Sequence, residues 1–212
     1  MDQHAPSTIT VVMTAETRGH VPKLVAMTPK FFYDLNSPYA YLASHRVDDV
    51  VGGDVEWVPI AFGPLLVQTQ RVPWSLRPGE REEGMRECER RAAERGLPPI
   101  RWPEGWPAES YSVNGARAAL AAKRIGRERP MTLALYEQVF VHGARLNDPA
   151  TIESAAAAAD VDRIGERIAE VKDELRSITD DAIARGVVGI PTVEIDGRLI
   201  WGDDRLEEAA AA

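Results

Sequence analysis

The residues best suited to chemistry stand at Asn36-Ser37-Pro38-Tyr39, directly after the apolar run Lys30-Phe-Phe-Tyr-Asp-Leu35. Ser37 followed by Pro38 marks a helix start, because a serine oxygen caps free amides and proline's fixed φ suits the first helical position. The dipole and free amides of such a helix end stabilise an anion, a thiolate included, and the Ser37 hydroxyl can donate a hydrogen bond to it. Serine forms no disulfide, however. Cys88 is the single cysteine, which excludes an intrachain disulfide, a Cys-x-x-Cys redox pair and a zinc site of the usual cysteine type. A thiol working at this helix end must therefore come from outside the chain. The alternative is that Ser37 is only a cap.

A second feature is Gly189-Ile190-Pro191-Thr192, ahead of a strand pattern. An X-Pro bond at a strand start is a candidate cis bond that leaves the preceding amide and carbonyl able to pair with an extended peptide, although most X-Pro bonds are trans. Asp204 opens the last helical segment, where a carboxylate favours the helix dipole and can pair with Arg205. His45 and His142 have no partner at metal-ligand or triad spacing. Cys88 lies among Arg and Glu in an expected exposed helix and is read as structural. Trp74, Trp102 and Trp106 either line a pocket for a flat substrate or close one part of the fold onto another.

These positions need elements to hold them. The opening reads β-α-β: a strand over 30–35, a helix over 39–50 broken by Gly52-Gly53, and a strand over 55–60. Prolines and glycines over 63–79, with Arg71, Trp74 and Arg77, describe a long surface loop without a regular element. A Glu/Arg helix over 80–96 and a Pro/Trp connector over 97–107 follow, then helices over 110–125, 131–142, 149–159 and 164–185. The chain ends with a hairpin, 192–195 and 198–201 around Asp196-Gly197, and a helix from Asp203. Strands and a helix at both ends, with helices between, predict an α/β fold: one sheet interrupted by a helical insertion.

At 212 residues, 27% charged with a formal net charge of -8, the composition is that of an ordinary globular protein. An acidic chain without clustered Lys and Arg argues against nucleic acid or an anionic membrane as partner and favours a small molecule. Residues 1–28 read as a flexible extension with no secretory pattern, so the expected location is the cytoplasm; Met27 is an alternative start.

Three separated motifs carry a resemblance over about 30–206: Phe32-Tyr-Asp-Leu-Asn-Ser-Pro-Tyr-Ala-Tyr-Leu42; Trp106-Pro-Ala-Glu-Ser110 with 114–120; and Gly186-Val-Val-Gly-Ile-Pro-Thr192 with Trp201-Gly-Asp-Asp-Arg-Leu206. In these the chain resembles 2-hydroxychromene-2-carboxylate isomerases and the kappa-class glutathione transferases that share their features. The resemblance implies a DsbA-like, thioredoxin-like domain over 29–62 and 186–212 with an all-helical insertion over 63–185, and a homodimer. It also implies glutathione as cofactor, its sulfur against Ser37, its backbone paired at Ile190 and Pro191, and its γ-glutamyl end at Asp204. The implied activity is isomerisation of a small aromatic or conjugated substrate. Conjugation of electrophiles, or binding without catalysis, are the alternatives.

Two positions depart from the family pattern. Thr69-Gln-Arg-Val-Pro73 stands where Gly-Asn precedes a basic residue and proline, making Gln70 the expected substitute ligand. Asp203 replaces the usual Ser, Asn or Gln, and a carboxylate there needs Arg71, Arg77 or Arg81 to offset it beside an anionic tripeptide.

Overall fold

Three consecutive aromatics, Phe31, Phe32 and Tyr33, form a strand buried on both faces, which places it at the centre of the sheet. This strand, β1 (Lys30–Tyr33), pairs in parallel with β2 (Glu56–Pro59) and antiparallel with β3 (Thr192–Ile195), which pairs antiparallel with β4 (Arg198–Trp201). The order is β2-β1-β3-β4. The computed structural model describes residues 28–210, so the expected extension over 1–28 lies, apart from Thr28, outside the described residues.

Strand alternation splits the core in two. Phe31, Tyr33, Trp57 and Val193 face the larger cluster, where Trp57 meets the Phe31 and Tyr33 rings edge-on at 5.3 and 5.8 Å. Phe32, Val58 and Ile60 face the other side, with Ala182, Val187 and Ile190. The larger cluster also takes in α5 (Val113–Lys123), α6 (Glu128–Tyr136), α7 (Pro149–Ala158) and α8 (Ile164–Glu170), while α9 (Lys172–Ala184) contributes Leu175 to it and Ala182 to the smaller one.

The expected elements are present with four differences. The helix over 39–50 is two: α1 (Pro38–Ser44) and α2 (Val47–Val51), separated where Arg46 leaves helical geometry and bonds Glu207 on the last helix, α10 (Glu207–Ala210). The loop over 63–79 is corrected to a helix, α3 (Phe62–Thr69), and a 3-10 turn, Trp74–Leu76. Gly63-Pro64 falls in the first turn of α3, where proline's missing N–H costs nothing, and Leu65 supplies a buried anchor. The segment 131–142 runs as α6 and then widens into a π-turn over Glu137–Val141. The segment 164–185 breaks at Val171 between α8 and α9. The Glu/Arg helix is α4 (Arg81–Glu94), but Cys88 lies on its buried face, not the exposed one.

Candidate active site

Ser37 caps α1. Its Oγ accepts the amide of Ala40 at 3.2 Å, Tyr41 N–H bonds its carbonyl at 3.0 Å, and Pro38 fills the first helical position. That leaves Tyr39 as the one first-turn amide with no acceptor among the described residues, at the positive end of the helix. The hydroxyl serves the cap as acceptor, so its proton remains to be donated.

Behind Ser37 lies Asp34, which sequence reasoning missed. Its buried carboxylate accepts from the amides of Asn36 (2.8 Å) and Phe62 (3.1 Å) and from the Ser112 hydroxyl (2.7 Å). Burial holds its pKa above the ordinary carboxylate range, and the three hydrogen bonds pull the other way. One side chain thus fixes the turn into α1, the start of α3 and the approach to α5. The signal available was an Asp ending an otherwise apolar strand immediately before Asn-Ser-Pro.

Asn36 joins the first two motifs. Its Nδ2 donates to the Ser110 carbonyl at 2.9 Å, and Trp106 Nε1 donates to the Asn36 carbonyl at 3.2 Å. Buried Trp106 of the connector packs between two other tryptophans, its ring centre 4.5 Å from that of Trp102 and 5.7 Å from that of Trp74, the ring planes tilted by 47° and 48°.

The third motif brings Ile190 and Pro191, joined by a cis bond, to the same place. Neither the N–H nor the C=O of Ile190 is bonded among the described residues, whereas the Pro191 carbonyl accepts from Gly202 at 2.9 Å. Gly189 packs directly against Trp201: a Cβ there would sit 2.3 Å from the indole nitrogen, so the ring would have to move. Arg71 covers that ring at 4.6 Å, a cation–π contact.

Ser37, Ile190, Pro191, Asp203 and Asp204 all line one cavity of about 1180 Å³. The space exceeds the roughly 300–1,000 Å³ of a typical single-ligand pocket. Of the eight large hydrophobic side chains exposed among the described residues, six (Val72, Leu76, Tyr111, Val113, Val188 and Trp201) line it, so this is where apolar surface meets solvent. Arg71, Arg77, Arg91 and Arg205 give the lining cationic groups on an acidic protein.

Two expected ligands stand differently. Gln70 is outside the lining: it ends α3 in the left-handed conformation, φ 52°, and is exposed, while Arg71 and Pro73 of the same segment reach the cavity. Asp203 lies in the wall, but its carboxylate is taken by Arg95 and Arg91, not by Arg71, Arg77 or Arg81. Asp204 makes no ion pair among the described residues. Cys88 is fully enclosed beside Tyr39, and burial pushes its thiol up to about 12.

Residues 29–212 match the family model of the DSBA-like thioredoxin domain. The chain belongs to that family. It is 26% identical over 193 residues to a 2-hydroxychromene-2-carboxylate isomerase of Sphingobium xenophagum, covering 85% of this chain and 94% of the relative. It is 25% identical over 202 residues to glutathione S-transferase kappa 2 of Caenorhabditis elegans, covering 85% and 89%. A solved 2-hydroxychromene-2-carboxylate isomerase superposes with a TM-score of 0.78 over 87% of this chain and 93% of its own, at 17% identity. The family read from the three motifs and the α/β fold are both borne out: a DsbA-like thioredoxin fold with helical elements around a four-stranded sheet.

Proposed function

We propose that this chain is a glutathione-dependent isomerase of the 2-hydroxychromene-2-carboxylate isomerase type, acting on small aromatic or conjugated carboxylates. The observation that carries the reading is the convergence, in one cavity, of a helix-capping serine hydroxyl, the unbonded backbone of Ile190 and the Asp204 carboxylate. The curated relatives, an isomerase and a glutathione transferase by name, support the same family chemistry. The fit to a thiol tripeptide rests on Ile190, whose amide and carbonyl suit pairing with an extended backbone. When bound, glutathione supplies a sulfur nucleophile that adds to a conjugated double bond, permits rotation about the resulting single bond and departs, with no net redox change.

The chain's residues do the remaining work. Ile190 orients the cysteinyl unit, and Asp204 takes the cationic amino group of the γ-glutamyl end. The Ser37 proton and the Tyr39 amide stabilise the sulfur anion before addition and after departure. Arg71 and Arg77 hold the carboxylate of the second substrate, and Trp74 and Trp106 exclude water around its conjugated system. A cytoplasmic location goes with this reading, since glutathione keeps thiols reduced there; the homodimer implied by the resemblance goes with it too and is checked by light scattering.

A kappa-like transferase is the second reading, because a cavity of about 1180 Å³ leaves room for an electrophile beside the tripeptide. Product mass separates the two. A rearranged product of unchanged mass supports the isomerase, a stable glutathione conjugate supports the transferase, and calorimetry showing no glutathione binding leaves a non-catalytic binding module.

A further inference from the structure

Asp203 sits in the cavity wall, yet its side chain is 0% exposed. Arg95 grips it with two bonds of 2.7 Å, Nη1 to Oδ1 and Nη2 to Oδ2, and Arg91 Nη1 adds a third to Oδ2 at 3.2 Å. Arg91 lies in the last turn of α4 and Arg95 caps that helix's C-terminal end, 112 and 108 residues from Asp203 in the chain. A two-pronged guanidinium fixes a carboxylate in plane and distance as well as in charge.

The contacts extend in both directions. Arg91 Nε also donates to Glu87 at 2.7 Å, and the Arg91 guanidinium carbon lies 5.5 Å from the centre of the Tyr39 ring. On the other side the Gly202 amide holds the Pro191 carbonyl. One carboxylate therefore ties the Pro191 loop and the Asp204 turn to α4 and, through Arg91, to the residue two past Ser37. The turn itself is short: Asp203–Arg205 is three residues long, has no side-chain cap, and follows Gly202 at φ 117°, with buried Leu206 and the Arg205–Glu208 pair anchoring its far end. With Asp203 neutralised by Arg95, Asp204 is the carboxylate left to meet a cationic group.

We infer that Asp203 is a positioning residue: it holds Asp204 at the reach from Ser37 that the γ-glutamyl end of a thiol tripeptide requires, and does not itself touch that ligand. The inference rests on the glutathione reading above. It separates from a merely structural role through a probe lacking the γ-glutamyl unit. A distorted cavity weakens every ligand, whereas a displaced Asp204 weakens only ligands that reach it.

Wild-type protein, Asp203→Asn and Arg95→Gln are titrated calorimetrically with reduced glutathione and with cysteinylglycine. The ratio of glutathione to cysteinylglycine affinity falls at least about tenfold in each variant, with cysteinylglycine affinity within about twofold of wild type, and the double variant falls no further than the worse single one. Arg95→Gln retains the Arg91–Asp203 contact, so it keeps the test open if Asp203→Asn does not fold. Wild-type binding of glutathione with an unchanged ratio in the folded variants, or an equal loss for both probes, overturns the positioning role and leaves the glutathione reading standing. Absence of glutathione binding to the wild type overturns both.

Discussion

Ser37 Oγ accepts the Ala40 amide at 3.2 Å, so the hydroxyl caps α1 through a lone pair and keeps its proton for another partner. Capping and catalysis use different halves of one group. Ser37→Asp preserves an N-cap acceptor while removing the donor and adding a negative charge beside the sulfur site. Its thermal midpoint stays close to wild type, while kcat/KM for the glutathione-dependent reaction falls at least about tenfold. Ser37→Ala loses both, costing about 1 kcal/mol of stability in denaturant titrations and a comparable share of activity. Equal activity in wild type and Ser37→Asp would leave Ser37 as a cap only.

Asp34 divides into shape and charge. Asp34→Ala removes the acceptor of the Asn36 and Phe62 amides and of the Ser112 hydroxyl, all part-buried, and at roughly 1 kcal/mol for each lost hydrogen bond costs about 3 kcal/mol. Asp34→Asn keeps an acceptor oxygen and lets Ser112 reverse its hydrogen bond, so it costs about 1–2 kcal/mol. Urea unfolding distinguishes the two, with Asp34→Ala expected to show the lower midpoint and equal midpoints contradicting this role.

Glu128 gives a pH dependence remote from the cavity. Burial pushes its carboxyl up to about 8, against 4.5 for an ordinary Glu, with nearby Lys123 and Arg129 pulling it down and Glu56 pushing it up. A carboxyl that is protonated in the fold and ionised in the unfolded chain favours the fold fully below pH 4.5, and this contribution is lost as pH rises through about 8. Glu128→Gln removes that dependence. Its stability relative to wild type therefore increases between those pH values in thermal or urea melts, and parallel curves for the two proteins would contradict the placement of Glu128.

Cys88 should be chemically silent. With its thiol enclosed and pushed up to about 12, iodoacetamide labels it only after denaturation, as read by intact mass. Cys88→Ala loses some packing against Tyr39 but keeps glutathione-dependent turnover within about twofold, because the reacting sulfur is not the chain's own. Loss of turnover in a folded Cys88→Ala protein would place the nucleophile in the chain.

What the sequence disclosed and what it hid follow from contact distance along the chain. The Ser37-Pro38 cap, the Asp196-Gly197 hairpin and the apolar β1 run are local features, and each appears within a residue or two of its expected place. Helix α3 was hidden because Gly63-Pro64 signals a turn unless it falls in a helix's first turn, which depends on Leu65 finding a core site. The role of Asp34 depends on Phe62 and Ser112, 28 and 78 residues away, and the fate of Asp203 on arginines more than a hundred residues away. No spacing rule joins such pairs. Gln70 ends α3 in a left-handed conformation and is exposed outside the cavity lining, a position set by where α3 stops and not by the local motif.

The most direct measurement is a crystal structure of the protein with reduced glutathione, refined together with that of Ser37→Asp under the same conditions. The proposed account predicts the sulfur within hydrogen-bonding distance of Ser37 Oγ, the cysteinyl backbone paired with Ile190 and the γ-glutamyl end at Asp204. A tripeptide bound elsewhere, or one whose sulfur points away from the start of α1, would contradict it.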